Sequence, residues 1–206
     1  MSITKWLNNH LPKSIYLGFL EACLGRLYNW SPAHRINERV KRTLGTKLSP
    51  RWVSELYQLA SVASAVALLF LAPNNPEWAL FPIAAYCIWR LIEIFVFALH
   101  WVFVARDPVE SFRRSLFAFL VNVLEVALFT SILMVISQCA ERGASRGELL
   151  YRNLASIFSF SVLNDFGTGV ACWLLPRAEL TIGWVLLLIA LTVVISGITR
   201  REHGTA

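Results

Sequence analysis

Arg90, Glu93, His100, Asn122 and Glu125 are polar or ionisable side chains set inside long apolar blocks of the chain. At about 100° per residue, Arg90, Glu93 and His100 fall within one quarter-turn of a helix, and Asn122 and Glu125 share a face by their i, i+3 spacing. Such faces must turn away from lipid, because a charge in hydrocarbon is costly and needs a partner inside the protein. Arg90 is therefore expected to pair with Glu125 on the following block, with Glu93 as an intrahelical partner, in a set of two acids and one base. The set reads either as polar glue between packed helices or as a proton path or voltage-sensitive element, although one arginine supplies little gating charge. Farther along, the run Asn164-Asp165-Phe166-Gly167-Thr168-Gly169 places two polar side chains and a Gly-x-Gly pair in apolar surroundings. No Ser/His/Asp or Cys/His set shares a depth, and there is no His-Glu-x-x-His and no phosphate-cradling loop. His10, His34, His100 and His203 lack metal-ligand spacing. The sequence reads as no enzyme, with no cofactor.

The elements that must position these residues are membrane spans. Of the 206 residues 56% are hydrophobic and only 16% charged, against about 45–50% and about a quarter in soluble domains; the mean hydropathy is +0.56. The apolar residues gather in blocks of bilayer length. Span one is expected over about Leu56 to Ala72, and the Pro73-Asn74-Asn75-Pro76 turn follows it. Span two runs from about Trp78 to Ala105 and ends at Arg106-Asp107-Pro108. Span three covers about Ser115 to Ser137, and span four about Leu180 to Ile198. Residues 1–50 form an N-terminal segment of one or two interfacial amphipathic helices, with Trp6, Tyr16, Tyr28 and Trp30 at headgroup level. Its apolar stretch Ile15 to Leu24 is too short for a span, carries Glu21 and lacks a small-residue cleavage site, so it does not read as a signal peptide.

The stretch between spans three and four, Leu149 to Pro176, is moderately apolar but broken by Arg152, Asn153, Asn164 and Asp165. Non-helical backbone at membrane depth is tolerated only where protein or a water cavity surrounds it. A re-entrant helix followed by a loop fits that constraint. The expected fold is thus an all-α integral membrane protein of four transmembrane helices, with a re-entrant helix and loop between the last two.

The net charge of +6 does not point to nucleic acid. Nine of the 19 lysines and arginines lie in the first 51 positions and the others mostly in short segments between apolar blocks, and no nucleic-acid-binding signature accompanies them. Residues 1–51, 106–114 and 199–206 hold 14 basic residues, whereas 73–77 and 139–179 hold four. The positive-inside rule then places both termini in the cytoplasm of a multi-pass protein of the plasma (inner) membrane. Cys139 and Cys172 share the outer side in this topology; a disulfide and two free thiols are both open readings. Cys87 reads as a small buried hydrophobe.

Ala155-Ser156-Ile157-Phe158-Ser159-Phe160-Ser161-Val162-Leu163-Asn164-Asp165-Phe166-Gly167-Thr168-Gly169-Val170 aligns without a gap to the pore segment A-L-Y-F-S-x-V-T-x-T-T-x-G-Y-G-D of small bacterial potassium channels. The matches are Ala155, Phe158, Ser159, Gly167 and Gly169. Span three, residues 150–163, residues 164–169 and span four also fall in the order outer helix, pore helix, filter loop and inner helix. The chain thus resembles a potassium-channel pore module with a divergent filter.

The resemblance implies a pore module over 109–200, behind a two-helix transmembrane hairpin over 51–108 and ahead of a short tail, 201–206. It implies a homotetramer, because four filter loops must surround one axis. Asn164 through Gly169 would form the ion filter for a monovalent cation such as potassium, with carbonyls aimed inward through the two glycines. The family's Thr-Thr is Asn164-Asp165 here, its Tyr is Thr168 and its trailing Asp is Val170. Asp165 would bring four carboxylates close to the axis. The function implied is a subunit of a tetrameric cation channel; the alternative is a non-conducting channel-like scaffold or regulatory subunit. Membrane lipids are the other expected partner. Gly183 would let span four pack closely on the pore helix.

Overall fold

The computed structural model describes residues 15–44, 51–71, 77–103, 112–140, 144–163 and 169–203. Trp6, the turn 73–76 and Arg106-Asp107-Pro108 lie outside them. The described residues form seven helices and no strand. These are α1 (Ile15–Trp30), α2 (Pro32–Leu44), α3 (Arg51–Leu71), α4 (Glu77–Phe103), α5 (Phe112–Ile136), α6 (Arg146–Ser159) and α7 (Val170–His203). Three helices are long and apolar enough to cross a membrane, over Trp78–His100, Leu116–Ile136 and Val170–Thr192. In α3 the apolar stretch is shorter, Glu55–Leu71. An all-helical chain with three such helices fits an integral membrane protein.

Helix α5 is the centre of the molecule. It packs against α3, α4, α6 and α7, and 72% of its apolar span is buried against 22% in α7. Val126, Ala127, Phe129 and Ile132 of α5 meet Ala65 and Leu69 of α3, Cys87 and Leu91 of α4, Ile157 of α6 and Leu186 of α7. In lipid these contacts gain little from the hydrophobic effect, so close packing and hydrogen bonds between helices must hold them.

Local chemistry sets the ends of α6. Ser145 accepts a hydrogen bond from the Glu148 amide at 3.1 Å, the N-terminal half of a Ser-x-x-Glu capping box. Phe160 closes the helix in the left-handed region, φ 55° and ψ 32°, with its amide on the Ser156 carbonyl. The helix therefore starts and stops about one turn earlier than the expected 150–163.

The last helix departs more. Span four was expected from Leu180, but α7 is helical from Val170 through Pro176 to His203. Proline is read in sequence as a terminator, yet Pro176 lies inside α7 as its seventh residue, where it withholds the amide hydrogen bond that the Cys172 carbonyl would accept and the helix continues through it. Arg177 folds back over the Trp173 ring, 4.4 Å from its centroid, and donates to the Trp173 carbonyl at 2.8 Å. The ends of α5 and α7 are joined by a Cys139–Cys172 disulfide.

Candidate functional site

The helical pitch of α4 puts Arg90 and Glu93 on one face, and α5 presents Glu125 to it. The Arg90 Nη2 donates to both Glu125 oxygens, at 3.0 and 3.2 Å. Its Nη1 donates to Glu93 and, at 2.8 Å, to the Tyr57 hydroxyl of α3. Tyr57 in turn donates to Glu93 at 2.9 Å, and the guanidinium carbon stands 4.7 Å from the Tyr57 ring centroid. The last member comes from the turn between α1 and α2, where the Ser31 hydroxyl donates to the other Glu93 oxygen. Arg90 is 3% exposed, Glu93 8% and Glu125 0%. One guanidinium thus serves two carboxylates, two hydroxyls add donors to Glu93, and Arg90 Nε has no partner among the described residues. Four segments of the chain meet there.

Asn122 stands on the same side of α5 but bonds elsewhere, accepting from Gln58 Nε2 of α3 at 3.3 Å. His100 is not part of the Arg90 group, contrary to the shared-network expectation. Its ring stacks on Tyr28 of α1, with centroids 4.1 Å apart and planes 3° apart. Its Nδ1 is buried without a hydrogen-bond partner among the described residues. Two helical turns separate it from Glu93, which is too far for side chains on one helix to meet.

A second buried polar set lies nearer the disulfide. Asn153 of α6 donates to Ser131 Oγ of α5 at 2.8 Å, and Ser156 Oγ accepts the Leu163 amide at 3.1 Å. Glu179 of α7 is 1% exposed, and its Oε1 has no partner among the described residues. Sequence reading passed over Glu179 because it placed the residue in the loop before span four; the helical start at Val170 puts it inside an apolar span. Tyr57 and Ser31 were missed for another reason. Uncharged hydroxyls leave no mark in a hydropathy pattern, and which one faces Glu93 depends on how α3 and the α1–α2 turn are rotated. Of the expected ion filter, Asn164, Asp165, Phe166, Gly167 and Thr168 lie outside the described residues. Gly169 lies directly before α7.

The approach to that segment is built tightly. A Cβ on Gly183 of α7 would lie 2.7 Å from Ile157 Cγ2 of α6, so only glycine lets the two helices come this close. Phe160 packs edge-on against Trp184, centroids 4.7 Å apart. Beyond it Ser159, Phe160, Ser161 and Leu163 are exposed on the surface of the single chain. No protein-family model, curated protein or solved structure matches the chain.

Proposed function

We propose that the chain is a subunit of a tetrameric, potassium-channel-like cation channel, with α3 as a fourth span and α6 as a re-entrant pore helix. The observation that carries this reading is the path of α6. Leu149, near its start, packs with Met134, Cys139 and Cys172, level with the disulfide. Ile157, near its end, meets Gly183, which at 1.5 Å per residue is about 16 Å farther along α7 than Cys172. A hydrocarbon layer is about 30 Å thick, so α6 descends about halfway. The chain must then return to Val170 within residues 160–169. Polar backbone at that depth needs protein or water around it, and Ser159 and Ser161 at the tip are exposed in one chain. Sister subunits around a shared aqueous axis would supply both.

Other features support the arrangement. Arg146 at the start of α6 donates to the Phe70 carbonyl at 2.7 Å, so the end of α3 lies on the same side as the disulfide. Disulfides persist in oxidising compartments, which favours that side as extracytoplasmic. The basic N-terminal segment and the tail then face the cytoplasm of a plasma (inner) membrane. The exposed stripe Leu174, Thr181, Leu188 and Thr192 on α7 is the face that would look toward the axis. The substitutions Asn164-Asp165 and Thr168 in the filter favour the second reading, a non-conducting scaffold or regulatory subunit with the same fold.

Purified protein in liposomes under a potassium gradient separates the two. The channel reading expects cation flux above that of empty liposomes, abolished by Gly167→Ala and Gly169→Ala with assembly unchanged. An intact assembly without flux would leave the scaffold reading.

A further inference from the structure

We propose that the basic face of α2 binds the anionic headgroup of a phospholipid in the leaflet on the basic side of the membrane. His34, Arg35, Glu38, Arg39 and Arg42 recur at the spacing that puts them on one side of a helix. They line a shallow, open depression, and the three arginines are exposed. Glu38 is the one acid in the lining, beside three arginines. A phosphate is the complementary guest, because the guanidinium fork matches its oxygens two at a time.

Position argues for a lipid rather than a soluble anion. The start of α2 is pinned to α4, through Ser31 on Glu93 and through Tyr28 stacked on His100. His100 is where the apolar span of α4 ends and Glu93 lies seven residues inside it, so the helix pair straddles the edge of the hydrocarbon, with Tyr28 at the edge. Beside the arginines, Trp30 is 67% exposed, Leu27 53% and Ile36 41%, and Arg35 stands 5.6 Å from the Trp30 ring centroid. A site for a free anion has no use for three exposed apolar side chains. A phospholipid uses both halves, with its acyl chains along Leu27, Trp30 and Ile36 and its phosphate at the arginines. The site lies within one chain, so it does not rest on the channel reading.

The test is a titration of the purified protein in neutral detergent, read by native mass spectrometry, with short-chain phosphatidylglycerol, short-chain phosphatidylcholine and inorganic phosphate as probes. Saturable phosphatidylglycerol binding is expected, weaker at high salt. It should fall about fivefold for each of Arg35→Gln and Arg42→Gln, which corresponds to roughly 1 kcal/mol per basic residue. Arg35→Lys/Arg42→Lys should keep most of it, and serves as the variant that preserves charge if a glutamine variant misfolds. Equal binding of phosphatidylcholine, glutamine variants that bind like the parent, or inorganic phosphate binding as tightly as phosphatidylglycerol would each overturn the proposal.

Discussion

Arg90 is the residue on which the interior depends most. Its guanidinium is almost fully buried and bonded to Glu125, Glu93 and Tyr57, so deleting it leaves two buried carboxylates without their counter-ion rather than a small gap. Breaking a buried pair by removing one member costs about 3–5 kcal/mol. Arg90→Gln is therefore expected to lower thermal stability in detergent sharply, and the exchange Arg90→Glu/Glu125→Arg to recover part of the loss. A swap no better than either single variant would show that the pair contributes little. Glu179 carries the opposite expectation. Its Oε1 has no partner among the described residues, and burying an unpaired carboxylate is costly. Glu179→Gln should therefore melt at or above the parent temperature; a large loss would mean that the carboxylate is held by something not yet seen. The Arg90–Glu125 pairing is legible in the sequence, because period 3.6 and the cost of charge in lipid leave those two residues few other places to face. The Ser31 and Tyr57 hydroxyls are not, since their use is decided by how separate helices rotate against one another.

At the scale of elements, the contact between α6 and α7 is the one that seats the loop. Gly183 meets Ile157 with no room for a side chain. Gly183→Val should cost about 1–3 kcal/mol through overpacking, and Ile157→Ala in the same chain should restore part of it. Equal melting of the parent and Gly183→Val would mean that the helices separate easily there. This glycine was readable as a packing position, because it stands in an otherwise bulky apolar span. The start of α7 was not readable. Pro176, Arg177 and Glu179 together look like a loop, and a local and a tertiary feature accompany their helical form: Arg177 folds along its own helix onto Trp173, and Glu179 is enclosed. The boundaries of α6 shifted by a turn because Ser145 and Phe160 cap the helix outside the apolar pattern.

At the scale of the whole molecule, hydropathy showed apolar blocks of bilayer length, and three helices have that character. It could not show that α5 is enclosed while α7 is largely bare, since both blocks are similarly apolar and lipid and protein interior make the same demand of side chains. That asymmetry has a consequence. On the proposed reading, the tip of α6 lies about halfway across the bilayer on the open side of one chain and calls for other copies around it. The most direct measurement is the mass of the purified complex in mild detergent. The account predicts a particle of four chains, four times 23.3 kDa; a particle of a single chain, stable and folded, would contradict it.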